Sequence, residues 1–295
     1  MENAQTAAPR VFALGAATIT IINVGDSLWR LGEMMDVPER DRRPQDTAIF
    51  TATTPFPNLC VHIKLASASV LVDASAYDFP PDSPQRPPGY TPPADLSAQL
   101  AGAGIAPGEI THLVITHLHT DHYNAATVER DGGWAPRFPN ARCFIGQADW
   151  EAAETLQALG NPDSLEARTL GALWRAGLVE LTEGDRELAP GIALLATPGE
   201  SPGHQVVRVA SAGQTLYCLG DLYHHPIEVE RPAWMCAWCD AVATRASRER
   251  IATAALAERA LLTAAHIAAI ARLEPAADGA GVTWQPVDLG EVGAS

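Results

Sequence analysis

The sequence predicts an α/β fold in which residues suited to chemistry follow the carboxyl ends of strands. Short apolar runs typical of strands alternate with longer segments typical of helices along the 295 residues. Several of the apolar runs end directly in histidine or aspartate. Because open α/β sheets gather their chemistry at the carboxyl edge of the strands, these side chains are expected to lie together. A chain of this length buries about three quarters of its unfolded surface, which is enough for one large core.

Apolar periodicity and the turn signals between apolar runs give the predicted elements. The expected strands lie at 16–24, 58–66, 69–73, 110–116, 143–146, 179–181, 192–197, 205–209, 215–220, 268–273 and 282–287. The expected helices lie at 94–103, 148–159, 165–176 and 241–257. Asp240 is a suitable N-cap for the last helix. Residues 77–93 contain seven prolines, which prevent regular structure, so this segment is expected to be a loop over the functional edge.

The strongest chemical signal is the sequence H-L-H-T-D-H at residues 117–122, directly after a predicted strand. In an extended chain, side chains two positions apart point the same way, so His117 and His119 can bind one metal ion from one side. Where the strand turns, Asp121 and His122 can reach a second metal ion beside it. Imidazole together with carboxylate suits zinc, manganese or iron rather than calcium or magnesium.

Three later apolar runs deliver further residues that bind metals. One run and two Pro-Gly turns lead to His204, the next run is followed by Asp221, and a last short run ends at His266. Each of these residues again follows the carboxyl end of a predicted strand. With the first motif they give five histidines and two aspartates, enough for two metal ions that share one carboxylate.

This ordered set of motifs resembles the metallo-β-lactamase superfamily. The matching pieces are H-L-H-T-D-H (117–122), T-P-G-E-S-P-G-H (197–204), L-G-D (219–221), A-A-H (264–266) and the strand end V-L-V-D (70–73). The resemblance implies a single domain over residues 1–295, built as an αββα four-layer sandwich (the metallo-β-lactamase fold), with residues 1–10 flexible. Two further stretches, 134–142 and 220–226, are similar to the lactonase and organophosphate-hydrolase branch of the superfamily.

The resemblance also implies a set of metal ligands. The first site is expected to contain His117, His119 and His204, and the second Asp121, His122 and His266, with Asp221 bridging the two. Asp73 is expected to hold a ligand histidine in place from one layer further out. Glu200 stands where many relatives have a histidine, and this interpretation leaves it outside the ligand set.

The implied activity is that of a dinuclear metal-dependent hydrolase with two divalent ions, for which Zn²⁺ is the expected choice and Mn or Fe the alternatives. A hydroxide bridging the two ions would attack a lactone or carboxylic ester of a small molecule. Asp121 is expected to orient that nucleophile or to carry a proton to the leaving group. Tyr223 and His224, which closely follow the bridging aspartate, are expected to contact the substrate.

Three other functions stay open on this pattern. A phosphotriester (organophosphate) hydrolase would use the same nucleophile and a similar scaffold. An iron-dependent oxidoreductase of the same superfamily would use the same ligand positions for oxygen or persulfide chemistry. A metal-binding protein without catalysis is disfavoured because every expected ligand position is filled.

The amino-acid composition indicates which binding partners and which cellular compartment to expect. The formal net charge is −15 and Lys64 is the only lysine, so the surface repels phosphate backbones and no nucleic acid is expected as a partner. The apolar run at 11–24 is too short to span a bilayer, so no membrane association is expected. The five cysteines, including Cys236 and Cys239 in C-x-x-C spacing, are expected to be free thiols of a cytoplasmic protein, since their number is odd and no secretory signal is recognised. A homodimer is left open.

Overall fold

Two sheets of seven strands each form the centre of the structure, a computed structural model that describes residues 8–37, 41–42, 44–276 and 281–288. The first sheet contains, in spatial order, β1 (Arg10–Leu14), β2 (Ala17–Arg30), β4 (Thr53–Lys64), β5 (Ser69–Val72), β6 (His112–Val114), β9 (Arg142–Gly146) and β10 (Val179–Thr182). The second contains β11 (Arg186–Ala189), β12 (Ile192–Ala196), β13 (Gln205–Ser211), β14 (Gln214–Cys218), β16 (Leu261–Ala264), β17 (Ile267–Pro275) and β18 (Val282–Pro286). Two smaller antiparallel pairs join β3 (Met35–Asp36) to β15 (Met235–Cys236) and β7 (Thr127–Arg130) to β8 (Gly133–Pro136).

The α-helices of the described residues are short, apart from the last one. The α-helices are α1 (Leu31–Met34), α2 (Thr47–Thr51), α3 (Leu96–Gly102), α4 (Gln147–Trp150), α5 (Ala153–Leu159), α6 (Leu165–Arg168), α7 (Leu170–Arg175), α8 (Ile227–Glu230) and α9 (Ala241–Glu258). Turns of 3₁₀ helix lie at Pro44–Asp46, Pro107–Glu109 and Thr120–His122. None of the helices in the described ranges has both the length and the apolar character that crossing a membrane requires.

The space between the two sheets is filled by β-branched and other apolar side chains from both. Ile19 of β2 and Ile63 of β4 lie in one buried cluster with Val207 of β13. This pattern follows from the two-residue repeat of a strand, which sends every second side chain to the same face. The cluster draws on residues from Phe12 to Ile270, so both halves of the chain contribute to it.

Helices cover the outer face of each sheet. On the first sheet, Leu100 of α3 and Leu173 of α7 share a buried cluster with Cys143 of β9. On the second sheet, Ile251 of α9 shares a buried cluster with Leu262 of β16. The layers therefore run helix, sheet, sheet, helix, which confirms the predicted αββα sandwich.

The longest helix begins where the sequence predicts it to begin. The Asp240 carboxylate accepts hydrogen bonds from the N–H groups of Val242 and Ala243, at 2.9 and 3.0 Å. These bonds satisfy two of the N–H groups that the first turn of a helix leaves unpaired. The predicted N-cap is therefore confirmed.

The N-terminal strands differ most from the prediction. The strand expected at 16–24 continues to Arg30, because it pairs with β4 well past a bulge between Asn23 and Asp26. Arg10 already lies in β1, within the segment 1–10 that the sequence predicts to be flexible, and residues 1–7 lie outside the described part of the chain. The single domain over 1–295 stays a prediction, which the core shared by both sheets supports.

Candidate metal centre

Four connections meet at one edge of the two sheets, namely those that follow β6, β12, β14 and β16. Backbone hydrogen bonds tie them together. The Gln205 N–H donates to the Thr116 carbonyl (2.9 Å), and the Ala265 N–H donates to the Gly220 carbonyl (3.0 Å). Gly220 has a φ of 54°, and a Cβ at this position would lie 2.9 Å from Nε2 of His204. Only glycine fits this conformation and this space, so the chain can turn sharply just before Asp221.

Four side chains from these connections form a first cluster. They are His117, His119, Glu200 and Asp221, whose nitrogen and oxygen atoms lie within 4.8 Å of one another. His119 Nδ1 lies 3.3 Å from Glu200 Oε1, and His117 Nε2 lies 3.7 Å from Asp221 Oδ2. Two imidazoles and two carboxylates that converge in this way make a set of donors for a divalent metal ion.

A second cluster lies beside the first and consists of Asp121, His122 and His266. His266 Nε2 lies 3.4 Å from Asp121 Oδ2. Asp221 Oδ2 lies 3.4 Å from His122 Nε2 and 3.3 Å from His266 Nε2, so the Asp221 carboxylate adjoins both clusters. This is the position that the sequence predicts for a bridging carboxylate.

The buried polar atoms of the clusters show that the residues suit metal ions. Nε2 of His117, Nε2 of His122 and Oδ1 of Asp221 are buried and have no hydrogen-bond partner among the described residues. Buried polar atoms are normally paired, because an unpaired one costs about 1–3 kcal/mol. Ligation of divalent ions would give all three atoms a partner.

The charges of the clustered residues depend on one another. Burial keeps the pKa of His117 well below its ordinary value, and the neighbouring His122 adds to this effect. Burial would also lower the pKa of His122, but the carboxylates of Asp221 and Asp73 raise it well above the ordinary value. Burial would raise the pKa of Asp221, but the surrounding histidines, His266 first, hold it well below its usual range. His117 therefore offers a neutral imidazole beside the ionised Asp221 carboxylate, which is the combination that metal binding requires. A metal ion on His122 would displace the proton that the neighbouring carboxylates favour there.

Asp73 supports the clusters from one layer further out, as the sequence predicts. Nδ1–H of His122 donates to Asp73 Oδ2 (2.8 Å), which leaves Nε2 of the same ring facing the cluster. The other Asp73 oxygen accepts the Thr116 N–H at 2.8 Å. On the far side, Nδ1–H of His266 donates to the Pro57 carbonyl (2.9 Å), so its Nε2 also faces the cluster.

His204 is the predicted ligand that the structure does not bring into the clusters. The Asp221 N–H donates to His204 Nε2 (3.2 Å), and His204 Nδ1–H donates to Thr197 Oγ1 (2.8 Å). Both ring nitrogens are thus used within the fold, and burial lowers the pKa of this ring to about 3. The ring lies behind Asp221 and positions it, so the assignment of His204 to the first site is corrected.

Glu200 provides the carboxylate that replaces His204 in the first cluster. At the preceding residue, Gly199, a Cβ would clash with the Thr244 side chain of α9, so the turn packs closely on that helix. The Glu200 carboxylate accepts hydrogen bonds from Trp238 Nε1–H (2.6 Å) and from the Cys239 thiol (2.8 Å). One sequence signal points to this role. Glu200 is a carboxylate in the same turn, 197–204, that is predicted to bring a metal ligand to the site.

The two residues predicted to contact the substrate point in different directions. His224 Nε2 lies 3.2 Å from Asp221 Oδ2 and 3.7 Å from Glu200 Oε1. Tyr223 instead packs in the apolar layer beneath α9, with the Arg248 guanidinium 4.8 Å from the centre of its ring. The expectation of a substrate contact from Tyr223 is therefore corrected, because adjacent residues here point to opposite sides of the chain.

A cleft of about 620 Å³ opens over the clusters. Its volume is typical of sites that bind small molecules. The loop predicted at 77–93 has no regular secondary structure and contributes Asp78 and Phe79 to the wall, as expected of a loop over this edge. The side chains that line the cleft are Ser27, Trp29, Met34, Phe56, Asn58, Asp78, Phe79, Leu118, His119, Thr120, Asp121, Asp221, His224, Trp238 and His266.

Comparison with protein families gives one match. Residues 88–261 match the model of the metallo-beta-lactamase superfamily, a range that covers more than half of the chain. The range includes Asp221 and the ligand-bearing loops after β6 and β12, whereas Asp73 and His266 fall outside it.

Curated relatives that match parts of the chain are N-acyl homoserine lactonases. The protein of Bacillus cereus is 31% identical over 120 residues, which cover 41% of each chain. A second, AttM of Azorhizobium caulinodans, is 28% identical over 156 residues, which cover 49% of this chain and 54% of that protein. The chain thus matches about half of the length of these relatives.

Solved structures match almost the whole chain and show its fold. The hydrolase AbOPH of the beta lactamase superfamily superposes with a TM-score of 0.76 at 17% identity and covers 96% of this chain and 99% of its own. AidC, a dizinc quorum-quenching lactonase in complex with a product, superposes with a TM-score of 0.73 at 19% identity, over 96% and 98% of the two chains. These superpositions agree with the αββα fold, and the family match covers more than half of the chain. The chain belongs to the metallo-β-lactamase superfamily.

Proposed function

We propose that the chain is a dinuclear metal-dependent hydrolase that opens a lactone or cleaves a carboxylic ester of a small molecule. The observation that carries the proposal is the place of Asp221, whose carboxylate adjoins two clusters of metal-binding side chains at the floor of a cleft. The partial relatives named as N-acyl homoserine lactonases support an acyl lactone as the first substrate to test.

The residues that would hold the two metal ions follow from the clusters. The first ion would be held by His117, His119, Glu200 and Asp221, and the second by Asp121, His122, His266 and Asp221. When bound, such ions lower the pKa of water towards neutrality and polarise the oxygen of the bond to be cleaved. The sequence predicts zinc at both sites, and we propose zinc at the second.

Asp121 is the side chain best placed to move a proton. Its carboxylate is about one third exposed, and its Oδ2 lies 3.4 Å from His266 Nε2 at the wall of the cleft. A carboxylate that is reached by substrate and also held near the metal edge can take a proton from the attacking water and pass it to the leaving alcohol. Asp121 therefore keeps the proton-transfer role predicted from the sequence.

The composition of the cleft favours a neutral substrate with an apolar part. The apolar part of the wall consists of Trp29, Met34, Phe56 and Phe79. Among the described residues, no lysine or arginine lines the cleft. A lactone or ester with an acyl chain fits such a surface, because its apolar part is removed from water there. An anionic substrate would find no lysine or arginine among the described residues of these walls.

A phosphotriester is the second candidate substrate, because it is also neutral and is cleaved by the same attack at an electrophilic centre. The lack of lysine and arginine among the described lining residues favours it over phosphate monoesters and diesters. The iron-dependent oxidoreductase also stays a candidate, because the first cluster combines two histidines with Glu200. Two histidines and one carboxylate are the usual ligands of non-haem iron oxygenases.

A substrate panel tests these functions directly. Purified protein would be given acyl lactones of short and long chain, aryl esters and phosphotriesters, with added Zn²⁺ or Mn²⁺, while acid release and oxygen uptake are recorded. We expect acid release from lactones or esters that stops after chelation and returns with metal. Oxygen uptake without acid release would contradict the hydrolase proposal, and activity on phosphotriesters alone would replace its substrate.

A further inference from the structure

We propose that His224 is a fifth protein ligand of the first metal ion, which makes this site suited to Mn²⁺ or Fe²⁺, ions that accept more ligands than Zn²⁺. The inference rests on the proposed function and deepens it by assigning the chemistry of its first site. The five ligands are His117, His119, Glu200, Asp221 and His224.

The separations of His224 from the two carboxylates of the first cluster match those that the other two histidines keep from them. Its Nε2 lies 3.2 Å from Asp221 Oδ2 and 3.7 Å from Glu200 Oε1. Within the cluster itself, His119 lies 3.3 Å from Glu200, and His117 lies 3.7 Å from Asp221. His224 thus approaches both carboxylates, as His117 does at 4.0 Å from Glu200 and 3.7 Å from Asp221.

The ring of His224 is held in the way that is usual for a metal-binding histidine. Its Nδ1 faces away from the cluster, 3.4 Å from the Cys236 sulfur and 3.8 Å from Glu228 Oε2. The hydrogen-bond partner behind the ring is the Cys236 sulfur, whereas Glu228 lies beyond hydrogen-bond distance of Nδ1. A partner behind the ring is the usual way to fix the orientation of a ligand histidine, as Asp73 does for His122. His224 is buried, so this orientation is not set by solvent.

The backbone of His224 is also anchored. Glu228 Oε2 accepts hydrogen bonds from the N–H groups of His224 (2.5 Å) and His225 (3.0 Å). The other oxygen of Glu228 pairs with the buried Arg248 guanidinium at 2.5 Å. A fixed loop and a fixed ring direct Nε2 towards the space between Glu200 and Asp221.

The number and type of ligands determine the choice of metal. Structural Zn²⁺ sites are almost always four-coordinate, and catalytic Zn²⁺ sites usually have three protein ligands and a water. The first cluster already provides four protein donors, namely His117, His119, Glu200 and Asp221. A fifth donor favours ions that accept six ligands. Carboxylate oxygens suit Mn²⁺, and a set of histidines with a carboxylate suits Fe²⁺. The Glu200 carboxylate adds to this preference, and its bonds from Trp238 and Cys239 keep it in place.

The test compares His224→Gln with His225→Gln. His225 is the adjacent histidine, and its Nδ1 accepts the Ile227 N–H, so it serves within its own turn. Affinities for Mn²⁺ and Zn²⁺ would be measured without substrate, and the absorption of the Co²⁺-loaded proteins would be recorded. Because Zn²⁺ binds more tightly than Mn²⁺ to most donor sets, the informative quantity is the change in the ratio of the two affinities.

We expect His224→Gln to lower the Mn²⁺ affinity of one site by at least about tenfold. Loss of a residue that only supports a ligand already costs about this much, and loss of a ligand should cost no less. The Zn²⁺ affinity should fall by less. Its Co²⁺ spectrum should become more intense as the coordination number falls, while His225→Gln should match the wild type. An unchanged ratio with an unchanged Co²⁺ spectrum would overturn the inference, whether or not KM or kcat changed.

The spectrum of the wild-type protein is an independent test if the variant does not fold. Weak Co²⁺ absorption from one of the two bound ions supports a site with more than four ligands, and intense absorption from both would overturn it. All these measurements are made without substrate. A protein with the expected metal binding but no activity on the panel would therefore contradict the proposed function and leave the ligand assignment standing.

Discussion

The backbone N–H of Asp221 donates to Nε2 of His204 across 3.2 Å. This bond fixes the residue that adjoins both metal clusters. It also requires an unprotonated Nε2, because a nitrogen that accepts a hydrogen bond cannot carry a proton. His204 is buried, and burial lowers the pKa of its ring to about 3. The support of Asp221 therefore depends on a neutral histidine.

Acid should destabilise the protein through His204. The pKa of this residue is about 3 in the folded chain and about 6.5 when unfolded, so its contribution is present above pH 6.5 and is lost as the pH falls towards 3. Denaturant unfolding at several pH values, with a chelator present throughout, would measure this. The free energy of unfolding of His204→Gln should fall less steeply with acid than that of the wild type. Equal slopes would show that His204 carries no such linkage.

Loss of Asp221 or His119 should abolish hydrolysis. Asp221→Asn removes a charge that both clusters share, and His119→Ala removes a donor from the first cluster. We expect no measurable turnover and less bound metal in each variant, with circular dichroism close to that of the wild type. Full activity in either variant would contradict the assignment of the site.

Asp73→Asn should weaken metal binding without removing a ligand. The Asp73 carboxylate orients the ring of His122, and the loss of such a partner usually costs 10–100-fold in metal affinity. Asp131→Asn is the matched control, because Asp131 is exposed in the turn between β7 and β8. Titration with Zn²⁺ would compare the two. An Asp73→Asn protein that binds both ions as tightly as the control would contradict the supporting role.

Phe79→Ala should discriminate between acyl chains of different length. Phe79 forms part of the apolar wall of the cleft, with its ring centre 6.4 Å from that of Trp29. A loss of about 1–2 kcal/mol of contact would lower kcat/KM roughly tenfold for a long chain and leave a short chain little changed.

The control for this variant is Leu156→Ala, at an exposed position on α5 that does not line the cleft. Its kcat/KM should match the wild type for both chain lengths. Equal losses on short and long chains in Phe79→Ala would show that the ring does not contact the acyl part.

The sequence was sufficient where ligands are close in sequence or stand at strand ends. His117, His119, Asp121 and His122 follow one strand and are separated by fixed steps, so their convergence could be predicted. Asp221 also follows a strand directly, and its place between the clusters agrees with the prediction.

The sequence was not sufficient where the path of a turn decides which side chain faces the metal edge. Glu200 and His204 lie in the same turn, and both are residue types that bind metals. The close contact of Gly199 with Thr244 is a tertiary contact that no local pattern reveals.

Two predictions concern localisation and assembly. The cytoplasmic location and the open question of a homodimer remain predictions from composition. Small-molecule binding has structural support in the cleft above Asp221 and His266.

The number of divalent ions bound per chain tests the central claim most directly. The Asp221 carboxylate is placed to serve two ions at once, so elemental analysis of the folded, metal-saturated protein should find two ions per chain. A single ion, or none, under saturating metal would contradict the account.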